Sequence, residues 1–148
     1  MRSKTLEDLN LSLALGSWLQ LGEAASKVRF EVFVHEQNVP IEIELDEMDE
    51  SSLHAVVFNH AHEAVATGRL LPDGHIGRMA VSKSVRGSGV GGIILQTLIE
   101  EARQRGYKEV VLSAQLHAMG FYERYGFKAE GDIYLDAGIE HKTMRLVF

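Results

Sequence analysis

The sequence predicts an α/β fold in a single domain over residues 1–148, with a mixed, mostly antiparallel sheet flanked by helices. Three short apolar runs separated by turn residues precede position 81, a pattern typical of an antiparallel meander. A glycine-rich loop then joins the last of these runs to an amphipathic helix, and another strand-like run follows that helix. Two strands joined by a helix lie parallel in a sheet, so we expect one parallel pair beside the antiparallel strands.

The N-terminal part of the chain is predicted to form one strand and one helix. Leu9 to Leu15 alternates apolar and polar residues, although imperfectly, and is predicted to be the first strand. Ser17 and Gln20 have the spacing of a capping box, so a helix should begin there. That helix should end near His35, well before Pro40.

An acidic segment follows at residues 41–50. It alternates apolar and acidic residues before it becomes almost wholly acidic. Two interpretations are open: a solvated connection, or a negatively charged rim that attracts a cationic amine.

The rest of the chain alternates between strand-like and helix-like patterns. The predicted elements, in chain order, are strands at 53–58, 64–71 and 75–81, a helix at 90–105, a strand at 109–114, a helix at 117–125 and a hairpin over 127–148. Gly106 and Gly126 should end the two helices, because a glycine in the left-handed conformation commonly follows the last helical residue. The turn of the hairpin should lie at Asp136-Ala-Gly138.

The loop at Val81–Gly92 carries four glycines within six residues. Glycine lets the backbone approach a ligand closely, and a helix N-terminus offers unpaired N–H groups, so this loop predicts a phosphate site. Ile93 stands where the Walker pattern requires lysine. Gly87 and Gly89 also match the dinucleotide fingerprint, but that fingerprint follows the first strand of a fold and this loop follows several. Because the fingerprint does match in sequence, a nucleotide-binding protein is one alternative.

Composition narrows the class of protein further. The chain has 148 residues, 45% of them hydrophobic and 24% charged, as in ordinary globular domains. Its net charge of -6 argues against nucleic acid as the main partner. There are no cysteines, no apolar run long enough to span a membrane, and no signal-peptide pattern at the N-terminus. We therefore expect a cytoplasmic protein without a membrane or nucleic-acid partner.

Several motifs resemble those of one enzyme family. Arg86-Gly-Ser-Gly89-Val-Gly91 resembles the acyl-CoA pyrophosphate loop of the GNAT superfamily of N-acetyltransferases. The segment around Phe121-Tyr122 and Gly126-Phe127 resembles that superfamily's Phe-Tyr-x-x-x-Gly-Phe motif. Val28 to Gln37 and Ser113 to His117 are similar to segments of its ElaA-like bacterial subgroup. The resemblance spans roughly residues 11 to 148.

The resemblance implies a GNAT fold in which the parallel strands splay apart and hold acetyl-CoA as co-substrate, with no metal. The implied cofactor-binding residues are Met79, Ala80, Val81, Arg86, Gly87, Ser88, Gly89, Val90, Gly91, Gly92 and Gln115. The strand around Met79 would pair with the pantetheine arm, and its free N–H would face the thioester carbonyl. The loop from Arg86 to Gly92 would hold the pyrophosphate through main-chain N–H groups.

The resemblance also implies catalytic residues. Tyr122 would protonate the departing thiolate. Glu36 would act as the general base, with His75 or water as alternatives. Arg29 and Arg78 could hold an acceptor carboxylate, or could pair with Glu31 or a backbone carbonyl.

We therefore expect an enzyme that moves an acetyl group to a primary amine of a small molecule or peptide, by direct attack in a ternary complex. An acyl-homoserine-lactone synthase is one alternative, because Arg29-Phe-Glu-Val-Phe33 matches a pattern of those enzymes. A non-catalytic acyl-CoA sensor is another. A homodimer is left open as well as a monomer.

Overall fold

The computed structural model describes residues 5–41 and 46–148. Its strands are β1 (Ser12–Gly16), β2 (Leu53–Phe58), β3 (Ala64–Leu70), β4 (Ile76–Val81), β5 (Glu109–Gln115), β6 (Lys128–Asp136) and β7 (Ile139–Val147). Its α-helices are α1 (Trp18–Arg29), α2 (Val90–Gln104) and α3 (Met119–Glu123). A π-helix at Phe30–Glu36 extends α1, and 3₁₀ turns lie at Glu47–Ser51, Lys83–Val85 and Leu116–Ala118.

The strands form two antiparallel sheets that meet at β4 and β5. The first sheet has the order β1-β2-β3-β4, which confirms the predicted meander. The second has the order β5-β7-β6, so the C-terminal hairpin places its last strand between the other two. Among the described residues, none of the helices is both long enough and apolar enough to cross a membrane.

Most predicted elements are confirmed, with shifted ends. The first strand begins at Ser12 rather than Leu9, because a turn closed by the Leu11 N–H on the Leu6 carbonyl (2.8 Å) occupies the preceding residues. The first helix does reach Glu36, but its last seven residues are π-helical. The helix expected over 117–125 is α-helical only from Met119 to Glu123.

The core forms where α2 packs on the first sheet. The predicted stripe Val90, Ile94, Leu98 and Ala102 is at most 1% exposed, so this face of the helix is fully buried. Gly68 on β3 permits the close contact, because a Cβ there would lie 2.9 Å from the Ile94 Cγ2 atom. The glycine therefore sets how near the helix can approach the strand.

A buried ionic cluster joins α1 to the first sheet. Arg29 donates two hydrogen bonds to the Asp49 carboxylate, at 2.7 and 3.1 Å. Arg69 on β3 donates to the same carboxylate at 2.8 Å and to both oxygens of Asp46 at 2.7 and 2.9 Å. Arg78 approaches Asp46 from β4 at 3.3 Å. Arg29 and Asp49 are 1% and 2% exposed, so these charges depend on each other rather than on water.

This cluster corrects two expectations from the sequence. Asp46 and Asp49 are neither part of a solvated connection nor an open negative rim, because arginines neutralise both; residues 42–45 of the acidic segment lie outside the described residues. Arg29 pairs with Asp49 rather than with Glu31, which instead accepts a hydrogen bond from Ser82 at 3.0 Å. The partner of Arg29 is thus a residue twenty positions away, which the alternatives from the sequence did not include.

The first prediction concerns the cost of breaking this cluster. Asp49→Ala leaves Arg29 and Arg69 without a shared buried partner, which should lower the free energy of unfolding by about 3–5 kcal/mol. Urea unfolding at pH 7 measures the change. Glu50→Ala is the matched control, because Glu50 is an exposed acidic residue of the same turn. Its effect should stay within about 0.5 kcal/mol. Equal effects of the two variants would contradict the assigned role of Asp49.

The same cluster should make stability depend on acidic pH. The hydrogen bond from Arg69 lowers the pKa of Asp46. Burial alone would raise the pKa of Asp49, but the bonds from Arg29 and Arg69 outweigh it and the net shift is downward. A lowered folded-state pKa stabilises the fold above the ordinary carboxyl pKa of about 3.9, and this contribution is lost as pH falls through the lowered values. Urea unfolding below pH 4 should therefore show a shallower pH dependence in Asp49→Asn than in the parent.

Candidate active site

The site begins where β4 and β5 separate. These strands are parallel neighbours, as predicted, and they share one bridge between His75 and Val111. The Val111 N–H donates to the Gly74 carbonyl at 3.1 Å. Beyond this point the described part of the chain has no further pairing between β4 and β5, and each strand belongs to its own sheet. The predicted splay is confirmed, and it opens a cleft toward the carboxyl ends of both strands.

A β-bulge in β4 faces this cleft. Thr67 lies opposite Ala80 and Arg69 lies opposite Gly77, so the two residues Arg78 and Met79 share a single partner position on β3. Arg78 has a φ of +48°, which is rare for a residue with a side chain. A bulge interrupts the hydrogen-bond ladder and bends its strand, and here it does so beside the cleft.

The glycine-rich loop forms a cup of N–H groups at the start of α2. Gly87 and Gly89 adopt φ values of +80° and +91°, so both positions need glycine. The first N–H of the helix with a backbone acceptor, within the described ranges, is that of Ile93, which donates to Gly89 at 3.2 Å. The N–H groups of Val90 and Gly91 therefore have no partner within the helix and point outward from its first turn. This end of the helix is also the positive end of its dipole.

A groove of about 480 Å³, which we call the loop groove, lies over this cup. Its lining residues are Met79, Val81, Val85, Arg86, Gly87, Gly89, Val90, Gly91, Gly92, Phe121, Tyr122, Arg124 and Tyr125. Tyr125 places its hydroxyl where a Cβ of Gly92 would stand, so that glycine makes room for the tyrosine.

Three of the predicted cofactor-binding residues do not line the loop groove. The side chain of Ala80 is buried against α1 and its π-helical extension, in a cluster with Val28 and Val32. The Ser88 hydroxyl donates to the Val85 carbonyl at 2.5 Å within the loop. Gln115 lines a second cavity instead of the groove.

The second cavity lies on the other side of the cleft, under the turn of the β6–β7 hairpin, and has a volume of about 290 Å³. We call it the hairpin cavity. Its lining residues are Phe33, Gln37, Val39, Ile76, Gly77, Arg78, Met79, Leu112, Ser113, Gln115, His117, Ala118, Tyr122, Asp136, Ala137, Ile139 and His141. Its walls thus combine apolar and polar side chains in similar measure, which suits a small molecule that carries a polar group.

Tyr122 stands where the two cavities meet. Together with Met79 it lines both of them. Its ring packs against Phe121 and Phe127, with centroids 5.1 and 6.1 Å away. Burial raises the pKa of Tyr122, so its phenol stays protonated at neutral pH. The half-buried ring therefore packs in the core, and the residue also borders both cavities.

Two consecutive residues at the end of the π-helix bridge the cleft. Glu36 accepts from the Arg86 guanidinium at 2.7 and 2.9 Å, and Arg86 also donates to the Val81 carbonyl at 3.0 Å. Gln37 accepts from the Gln115 side chain at 3.1 Å. One residue therefore holds the loop that follows β4 and the next holds the end of β5.

The two sequence-predicted bases differ from Tyr122 in position. Glu36 lines neither cavity and is engaged by Arg86. His75 also lies outside both cavities, with its Nδ1 atom 3.0 Å from an Asp73 oxygen. A catalytic role for either one stays a prediction.

Sequence reasoning missed most of the hairpin cavity. Its walls come from the π-helix, β4, β5 and the hairpin, which are far apart in the chain. The residues at Asp136 to Gly138 were recognised only as a turn. A signal was present in His141, which is a buried residue on the strand after that turn, but pairing and register were needed to place it.

Comparisons with known proteins identify the family. A family model described as an acetyltransferase (GNAT) domain matches residues 21–148. The chain is 43% identical over 121 residues to YjcF of Bacillus subtilis, named as an uncharacterized N-acetyltransferase, covering 79% of this chain and 86% of that protein.

Solved structures agree with the sequence comparisons. An acyl-CoA N-acyltransferase from Pseudomonas aeruginosa has a TM-score of 0.82 at 32% identity, covering 91% of this chain and 98% of that one. Escherichia coli ElaA has a TM-score of 0.82 at 28% identity, covering 90% and 98%.

Two more distant structures share the fold. One is a GNAT acetyltransferase from Elizabethkingia anophelis with acetyl-CoA bound, at a TM-score of 0.68 and 16% identity, which covers 94% of this chain and 99% of that one. The other is the acyl-homoserine lactone synthase BjaI, at a TM-score of 0.74 and 14% identity, which covers 91% and 82%. With its cleft between splayed strands, its glycine-rich loop and these relatives, the chain belongs to the GNAT family of acetyltransferases.

Proposed function

We propose that this protein transfers an acetyl group from acetyl-CoA to a primary amine by direct attack within a ternary complex. The observation that carries the proposal is the shared position of Met79 and Tyr122, which line both the loop groove and the hairpin cavity. A donor in the groove and an acceptor in the cavity would meet at these two residues. Direct attack needs no nucleophile from the protein, and the chain contains no cysteine that could serve as one.

The loop groove suits the coenzyme A part of the donor. The N–H groups at the start of α2 would bind the diphosphate, and glycines at 87, 89 and 91 would let it come close. The pantetheine arm would lie along β4, whose edge toward β5 is unpaired beyond the His75 bridge within the described residues. The acetyl-CoA complex of the Elizabethkingia relative supports this choice of donor.

The bulge and Tyr122 would supply the chemistry at the thioester. A main-chain N–H freed at Met79 would stabilise the negative charge that develops on the carbonyl oxygen. The Tyr122 phenol would protonate the sulfur as the carbon–sulfur bond breaks. Both groups lie on the cleft between β4 and β5, so neither needs a large movement.

The alternatives have less support from the residues. The lactone-synthase interpretation rested on the pattern that begins at Arg29, but Arg29 is buried against Asp49. The likeness to BjaI concerns the fold alone. A non-catalytic sensor would bind acetyl-CoA and release no thiol.

A panel of primary amines tests the proposed function directly. Each amine is incubated with acetyl-CoA and the protein, and release of free thiol is followed. At least one amine should give thiol release above the rate without amine, together with an acetylated product by mass spectrometry. Binding of acetyl-CoA with no release for any amine would instead support the sensor.

The second prediction concerns the diphosphate site. Gly91→Val should abolish acetyl-CoA binding in calorimetry, because a side chain would stand between the helix N-terminus and the diphosphate. The substitution should leave the fold intact, since the nearest neighbour of a Cβ there is Val81 Cγ2 at an ordinary 3.5 Å. Gly120→Ala is the matched control, because Gly120 is a helical glycine that lines neither cavity and has open space around it. Unchanged affinity in folded Gly91→Val would show that the loop does not bind the donor.

The third prediction separates catalysis from binding at Tyr122. Tyr122→Phe keeps the ring contacts with Phe121 and Phe127 but removes the hydroxyl. Its kcat should fall by roughly 10²- to 10⁴-fold while the affinity for acetyl-CoA stays the same. Because burial raises the pKa of Tyr122, any alkaline loss of parent activity that comes from the phenol should begin at a higher pH than for an ordinary tyrosine.

Tyr107→Phe provides the control for that variant, because Tyr107 packs on the core and lines neither cavity. It should leave kcat unchanged. Full activity of Tyr122→Phe, with chemistry as the rate-limiting step, would reduce Tyr122 to a packing residue.

A further inference from the structure

His141 lies in the middle of a row of three side chains beside the hairpin cavity. It pairs in register with Gln115 on β5 and with Tyr134 on β6, so the three side chains share one face of the second sheet. Gln115 and His141 both line the hairpin cavity. The row thus places an imidazole ring on the acceptor side of the cleft.

The hydrogen bonds of His141 determine which nitrogen carries the proton. Its Nδ1 atom lies 2.7 Å from the Ile139 carbonyl oxygen. A carbonyl oxygen only accepts, so Nδ1 must donate and the neutral ring keeps its lone pair on Nε2. A lone pair on Nε2 is what a proton acceptor requires.

The Nε2 atom is accessible even though the residue is only 7% exposed. Within residues 5–41 and 46–148, Arg69 Nε is the one side-chain nitrogen or oxygen that is both fully buried and without a hydrogen-bond partner. The Nε2 atom of His141 has no partner among those residues either. Because it is not one of the fully buried atoms, it must be accessible. The residue lines the hairpin cavity, so a molecule bound there can reach its ring.

Tyr134 lies against one face of the His141 ring. The two rings are stacked, with centroids 6.2 Å apart and an angle of 23° between their planes. The Tyr134 hydroxyl in turn hydrogen-bonds to the Ser113 hydroxyl on β5, across the intervening strand. Contact on one face and a hydrogen bond at Nδ1 leave the imidazole little freedom to turn Nε2 away.

We propose that His141 is the general base that removes a proton from the acceptor amine in the hairpin cavity. This inference rests on the proposed function and adds the group that the sequence did not identify. Glu36 is engaged by Arg86, and His75 lies outside both cavities. His117 lines the cavity too, but it is exposed on a 3₁₀ turn.

The proton balance of the reaction is complete with His141 and Tyr122. An acceptor ammonium gives one proton to Nε2, and the free amine attacks the thioester carbon. The carbon–nitrogen bond forms and the carbon–sulfur bond breaks while Tyr122 gives a proton to sulfur. Tyr122 regains a proton from the amide nitrogen, which keeps one hydrogen, and the imidazolium of His141 returns its proton to water. The products are an amide and a free thiol.

Other ionisable groups around the cavity act on His141 as well. Arg78 from β4, His117 from the turn after β5, Tyr122 from α3 and Asp136 from the hairpin turn all line the cavity. Some of these groups carry charge, and others change charge with pH themselves. A substitution at His141 must therefore be compared with the parent over a full pH range.

His141→Asn is the variant that tests the inference. Asparagine can keep the hydrogen bond to the Ile139 carbonyl through its amide nitrogen, but it cannot accept a proton at neutral pH. With acetyl-CoA and benzylamine, whose apolar ring suits the Phe33 and Leu112 walls, kcat should fall by roughly 10²- to 10⁴-fold. The affinity for acetyl-CoA should be unchanged.

The pH profile supplies a readout that a purely structural role would not change. In the parent, kcat/KM should fall steeply on the acidic side, because both benzylamine and His141 become protonated. In His141→Asn the part due to the imidazole should be absent, while the part due to benzylamine stays the same. His60→Asn, at an exposed turn histidine, should match the parent.

Each outcome of this experiment is decisive. Parent-like rate and acidic limb in His141→Asn, or loss of that limb in Glu36→Gln instead, would overturn the inference and leave the proposed function standing. A parent that releases no thiol with benzylamine or any other amine would overturn both. Nitrogen NMR adds a test that needs no acceptor: His141 should carry its proton on Nδ1 at pH 8, and a proton on Nε2 would contradict the inference.

Discussion

The separation of β4 from β5 is the constraint on which the rest of this structure depends. Two parallel strands that share one bridge leave backbone groups unpaired, which is costly in a protein interior unless a ligand or another element satisfies them. The chain keeps the strands apart with the end of the π-helix, where Glu36 holds Arg86 and Gln37 holds Gln115. A π-helical turn shifts the side chains that follow it relative to an α-helix, and here it delivers two adjacent residues to opposite arms of the cleft.

The buried ionic cluster explains how the π-helix is held in place. Arg29 is the last residue of α1, directly before the π-helix, and Asp49 joins it to Arg69 on β3. Burying these charges costs desolvation energy, and only mutual pairing offsets that cost, so few other arrangements of α1 on the sheet are acceptable. The cluster is therefore better understood as fixing position than as adding stability. Because Arg78 of the bulge also approaches Asp46, the same cluster extends to the wall of the hairpin cavity.

The sequence predicted the loop groove much better than the hairpin cavity. The loop, its glycines and the stripe of α2 are local patterns, and their positions follow from backbone geometry alone. The partners of Arg29, the bulge at Arg78 and the place of His141 depend on contacts between residues more than ten positions apart, or on strand register. A register shift of one residue moves every side chain to the other face of a sheet, so no local pattern could have placed His141 in the cavity. The order β5-β7-β6 had to be known first.

This division has a consequence for specificity. Donor recognition would rest mainly on main-chain N–H groups, which tolerate few changes of backbone and depend little on side chains. Acceptor recognition would rest on side chains from the hairpin, the π-helix and the bulge, which can change without altering the loop. The strand β6 is exposed along its whole length, so substitutions there disturb little of the core. Yet Tyr134 on this strand stacks on His141, so the outer strand contacts a residue of the cavity wall. A change of acceptor can therefore arise at the hairpin, provided that the row from Gln115 to Tyr134 keeps its register.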